Sequence, residues 1–92
     1  MEANEIKIGQ EIYYRGDMAN AEGFGKITEV IRDKWGDFFS TKLEDGREQK
    51  RIPCIMLAEI DTDNGMTRFC TKEAYNKKRQ EKIDKFLRFA NK

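Results

Sequence analysis

Hydrophobic and polar positions divide the chain into two regimes. Up to about Cys70, short stretches with β-type patterning are interrupted by turn residues every few positions. From Thr71 onward there is no Gly or Pro, and helix formers dominate. In the stretch 6–14, Ile6, Ile8, Ile12 and Tyr14 share one parity, the period of a half-buried strand. Residues 15–22, rich in Asp, Asn and Ala, predict a loop. Gly23 and Gly25 flank Phe24 and open a second strand over 26–31, where glycine permits a positive φ or a close backbone crossing. A turn at 33–36 leads to a third strand over 37–43, whose aromatic and β-branched residues suit a pleated surface. Asp45-Gly46 is a hairpin signal. The fourth strand, 47–52, is mostly polar and reads as an edge, ended by Pro53, which has no N–H to donate. Residues 54–57 predict a 3₁₀ turn before a short strand at 58–60. A turn at 61–65 then precedes a last strand at 66–70.

The second regime predicts one helix over 71–91. Thr71 is its N-cap, and Glu73 in the first turn and Lys85, Arg88 and Lys92 near the end suit the helix dipole. Tyr75, Ile83, Phe86, Leu87 and Ala90 form a narrow apolar stripe at helical spacing, while 76–82 has almost no apolar face. The expectation is that the C-terminal half docks on the sheet and the middle faces solvent. The whole chain, 1–92, then forms a single α+β domain, mostly β, with its strands in 6–70 and its helix in 71–91.

Charge and composition narrow the function. The chain is 38% charged and 38% hydrophobic, with a formal net charge of +1. That near-neutrality hides an asymmetry: residues 1–70 carry −4 and residues 71–92 carry +5. There is no His, so there is no imidazole base, no proton switch near neutral pH, and none of the commonest metal ligand. The only serine, Ser40, has no histidine to activate it. Cys54 and Cys70 cannot complete a zinc site alone, and the carboxylates form no recognisable acid/base pair. Asp61, Asp63, Asn64 and Gly65 have the look of a calcium loop, but the Gly stands fifth and the twelfth position is Lys72, so a turn is the reading. Arg15-Gly16-Asp17 likewise reads as a turn. The first residues are acidic and polar, unlike a signal peptide, and the longest apolar run, 54–58, is far short of a membrane span. The expectations are a cytoplasmic protein with free thiols, no membrane partner, no metal, no cofactor and no catalytic residues.

The segments Gly9-Gln10-Glu11-Ile12-Tyr13-Tyr14, Gly23-Phe24-Gly25-Lys26-Ile27, Leu43-Glu44-Asp45-Gly46 and Ile52-Pro53 together resemble a small SH3-like barrel of the Tudor, KOW and CarD type. The resemblance covers residues 6–60. It implies about five to six strands, with the loop 15–22 and the C-terminal helix as additions, and it implies binding rather than catalysis.

Two sets of residues are candidates for that binding. Adjacent strand residues point to opposite faces, so one of Tyr13 and Tyr14, and one of Phe38 and Phe39, leans outward. Tyr13, Phe24, Trp35 and Phe38 are the expected partner contacts, Trp35 foremost because it sits in a turn. Lys72, Lys77, Lys78, Arg79 and Lys82 are the expected contacts to phosphates or an acidic partner. The expected function is a small regulatory or accessory protein that binds another protein, or itself. The alternative is a nucleic-acid-binding module that uses the basic helix and an exposed aromatic residue.

Overall fold

The computed structural model describes residues 1–60 and 67–90. Six strands form one curled, half-barrel sheet: β1 (Glu11–Tyr14), β2 (Gly23–Asp33), β3 (Gly36–Leu43), β4 (Glu48–Pro53), β5 (Leu57–Ala58) and β6 (Phe69–Thr71). Helix α1 (Lys72–Ala90) follows directly. The spatial order is β4-β3-β2-β1-β6-β5; all neighbours are antiparallel except the parallel pair β5–β6. This is the mostly-β α+β small barrel that the residue pattern predicts, with its two edges, β4 and β5, left unpaired with each other.

The hairpins sit where the turn residues put them. Lys34 and Trp35 connect β2 to β3, with Asp33 facing Gly36. Glu44, Asp45 and Gly46 turn the chain from β3 into β4; Gly46 has φ +94° and its N–H bonds Leu43 O at 2.9 Å. The polar strand β4 is an edge, as expected. A 3₁₀ turn follows at Cys54–Met56.

The core lies on the concave side. Ile12 and Tyr14 of β1, Ile27 of β2, Phe39 and Leu43 of β3, Leu57 of β5 and Phe69 of β6 are buried there. Ala3 and Ile6, around a short 3₁₀ turn at Ala3–Glu5, close it from below. The Met1 ammonium ties that segment down by donating to Leu57 O at 2.5 Å and Cys54 O at 3.3 Å. Both cysteines are buried free thiols.

Several expectations need correction. The first run is not one strand. Gly9, at φ +88°, turns the chain, β1 starts only at Glu11, and Ile8 is exposed. The short strand after the 3₁₀ turn is Leu57–Ala58 rather than 58–60, and Ile60 is exposed. The last strand is Phe69–Thr71, shifted towards the helix. The predicted turn at 61–65, Met66 and the helix end at 91 lie outside the described residues.

The largest correction concerns α1. Thr71 caps it as predicted, its Oγ1 accepting the Ala74 N–H at 3.1 Å. The docked part, however, is the first turn and not the C-terminal half. Ala74 is buried and Tyr75 half-buried, whereas Arg79 through Ala90 are all exposed. The reason is geometric. The helix leaves β6 beside an aromatic seat on the sheet, Tyr13 and Phe24, and Tyr75 takes it. At about 1.5 Å rise per residue, Phe86 lies about 16 Å further along the axis. The molecule is accordingly elongated, 56 Å by 26 Å by 23 Å.

Candidate interaction surface

The root of α1 is an aromatic cluster. The Tyr13 ring lies 5.2 Å from Phe24 and 4.4 Å from Tyr75, and Phe24 meets Tyr75 edge-on at 5.1 Å. The Tyr13 hydroxyl donates to the Glu22 carboxylate. Lys72 adds an ion pair to Glu11 at 3.3 Å, with its ammonium 5.5 Å from the centre of the Phe24 ring. The opposite faces predicted for Tyr13 and Tyr14 are observed: Tyr14 enters the core and Tyr13 does not. The outward face of Tyr13 and Phe24 is taken up by the chain's own helix, so both are half-buried.

The other two aromatic candidates sit elsewhere. Trp35, 73% exposed, occupies the β2–β3 hairpin tip; Lys34 stands 5.0 Å from its ring, and its N–H bonds Asp33 at 2.8 Å. Phe38 is half-buried under the Arg51 guanidinium, 4.7 Å away, and Asp33 holds that guanidinium at 3.0 Å. From Phe24 to Asp33 along β2 is about 30 Å at strand spacing. Trp35 and the helix root therefore belong to opposite ends of the sheet.

The helical cations divide. With about 3.6 residues per turn, Lys78, Lys82 and Lys85 form one ridge beside Arg79, which bonds the Tyr75 hydroxyl at 3.4 Å. Lys77 falls on the far side with Glu73, Glu81 and Asp84. Next to the ridge, and partly within it, are Ile83, Phe86, Leu87 and Phe89, exposed to 45%, 71%, 51% and 79%. Lys82, Lys85, Phe86, Phe89 and Ala90 enclose a shallow apolar recess of about 410 Å³. Phe89 was outside the predicted stripe, yet it stands three residues after Phe86. The apolar gap from Asn76 to Lys82 is the signal that Tyr75 and this end serve different surfaces.

A second recess, about 290 Å³, is lined by Phe24 and Leu43 together with Lys26, Lys42 and Lys72 and the carboxylates Glu11 and Glu44. Lys26 faces Lys42 directly, with Glu11 opposite the first and Glu48 opposite the second, so the outer face carries a Glu-Lys-Lys-Glu row.

The carboxyl groups with clear shifts serve turns. Asp17 accepts the Ala19 and Asn20 N–H groups at 2.8 Å each and the Tyr14 hydroxyl at 3.1 Å. Hydrogen bonds from the backbone N–H groups of Ala19, Trp35 and Arg47 lead in holding Asp17, Asp33 and Asp45, respectively, below the usual 3.8. Burial, then the Asp17 bond, pushes Tyr14 above 10.0, and burial raises Cys54 above 9.0. The depressed carboxyls stabilise the fold above about pH 4 and lose that contribution as pH falls below it; the raised Tyr14 and Cys54 cost stability above about pH 9. With no His, a urea midpoint measured against pH is expected to be flat from about pH 5 to 8 and to fall on both sides.

Among the described residues, no three of Cys, Asp or Glu gather to hold a metal ion, and no helix is long and apolar enough to cross a membrane. No family model, curated protein or solved structure matches the chain.

Proposed function

We propose that the chain is a non-catalytic module that acts by protein–protein contact, with the end of α1 as its contact element. One observation carries this reading: four large apolar side chains, Ile83, Phe86, Leu87 and Phe89, stand exposed on an arm that the sheet does not cover. Scattered apolar residues on a surface are ordinary, but a contiguous group on a projecting element marks an interaction site. The helix is anchored independently by Ala74, Tyr75 and the Thr71 cap, so the arm is presented without being needed for the core.

The carboxyl chemistry supports the non-catalytic part. A general acid or base near neutral pH needs a carboxyl held high, and Asp17, Asp33 and Asp45 are all held low by the turns they organise. The buried free thiols fit a reducing, cytoplasmic setting. The nucleic-acid alternative calls on the helical lysines and an exposed aromatic residue; Trp35 stands at the other end of the sheet from the helix root, so Phe86 and Phe89, beside Lys82 and Lys85, would have to serve.

A photo-reactive residue placed at position 86, compared with one at the still more open Met18, tests the reading in cells. Protein adducts are expected at 86 and not at 18. Equal labelling at both positions, none at 86, or transfer to nucleic acid overturns it. Retention of mixed DNA or RNA at low salt by the intact chain likewise favours the alternative.

A further inference from the structure

The charge around the arm says what kind of partner surface it fits. This inference rests on the arm being the contact element. Around the helix, the apolar arc formed by Phe89, Phe86, Ala90, Ile83 and Leu87 spans about 160°. Its Phe89 flank is Lys78, Lys82 and Lys85, its Leu87 flank begins with Gln80, and Arg79 stands inside the arc. Of the acidic residues of α1, Glu73 sits at the root and Glu81 on the far side, while Asp84 lies about 60° past Leu87 and accepts a bond from Gln80 at 3.1 Å. The apolar face therefore carries positive charge at its centre and along one flank, with one carboxylate set back from the other flank.

We infer that the arm inserts into an apolar groove on a different protein, and that carboxylates line the rim of that groove. Two features of the molecule count against a second copy as the occupant. First, pairing two arms face to face sets Arg79, Lys82 and Lys85 of each against those of the other. It also buries little: the four large side chains expose roughly 500 Å² together, against about 800 Å² per partner in a specific interface. A groove that wraps the arc gains more from the same helix, because it also covers the aliphatic stems of the lysines. Second, the apolar-floored recess on the sheet offers no acidic excess to a basic arm, since its lining sets Lys26, Lys42 and Lys72 against Glu11 and Glu44. An acidic rim supplies the missing complement, steering encounter and setting register along the helix.

Calorimetry on the full chain tests this with two synthetic helical hairpins. Both present a leucine-lined groove; one has glutamate along its rims and the other lysine. The glutamate hairpin is expected to bind, more weakly as NaCl is raised, and the lysine hairpin about tenfold or more weaker, given a few exposed ion pairs. Lys82→Glu/Lys85→Glu is expected to invert the preference without changing the melting temperature. Equal binding of the two hairpins, failure to bind either, dimerisation of the chain alone by light scattering, or adsorption to phosphatidylserine vesicles without hairpin discrimination each overturns the inference. Cross-linking at position 86 separates the two levels. Adducts with no charge preference sink only the acidic rim, whereas absent adducts sink the arm itself.

Discussion

Phe39→Ala is expected to lower stability by about 3–5 kcal/mol, read as a shift of the urea midpoint at unchanged slope. Phe39 is fully buried at the centre of β3. Val30 of β2 and Ile52 of β4 face it across the ladders, and its ring meets Phe69 of β6 edge-on at 5.3 Å. It therefore joins the β2–β3–β4 meander to the other end of the curled sheet, where β1 and β6 pair. Truncation deletes the ring, its aromatic contact and the support of both neighbours, and leaves a cavity that a sheet pinned by ladder bonds cannot collapse. A domain of this length has a total stability of about 5–14 kcal/mol, so the variant is expected to be partly unfolded at 37 °C. A loss below about 1 kcal/mol would mean that the core is not where the fold places it.

Gly25→Ala is the second large effect, with an expected cost of about 1–3 kcal/mol by the same measurement. Here the cause is space and not backbone conformation. A Cβ at Gly25 would stand 2.5 Å from Lys42 O and 2.9 Å from Leu43 Cα, both backbone atoms. Gly25 pairs with Ile12 on one side and Leu43 on the other, so the methyl forces β2 and β3 apart in mid-sheet. Gly46→Ala is the control. Nothing lies within 4 Å of its Cβ, but φ is +94°, so only the left-handed strain of about 1–2 kcal/mol applies. Crowding at position 25 predicts that Gly25→Val is worse than Gly25→Ala. At position 46 the open space predicts no comparable penalty from bulk alone.

The two hairpin turns, the polar edge strand and the Thr71 cap were legible because each is a local device. Asp45-Gly46 needs only its own φ values, and Thr71 needs only a hydroxyl three residues before a free N–H. The rest depends on register. Thr28 bulges β2, since Ile27 faces Thr41 while Glu29 faces Ser40. The inward parity therefore jumps from Gly25 and Ile27 to Val30. Arg51, at φ +54°, marks the matching irregularity in β4. Neither shows in a one-dimensional alternation of residue types. The same limit explains the helix. Its apolar stripe suggested a docked C-terminal half, because periodicity reveals a face but not what covers it. The aromatic pairing of Tyr13 and Phe24 with Tyr75 involves three elements and becomes visible only once β1, β2 and α1 are placed. What the sequence did carry is the charge division, acidic in the sheet and basic in the helix, and it is the feature on which the partner's chemistry turns.

The central claim is that the core of the sheet holds the fold while the far end of α1 is free of it. The most direct measurement is the urea midpoint of Phe86→Ser/Phe89→Ser, set beside that of Phe39→Ala. The account predicts a change of no more than about 0.5 kcal/mol, the range of an exposed surface substitution. A loss of about 3 kcal/mol or more, comparable to truncating a buried Phe, would show that the arm packs on its own sheet and would contradict the account.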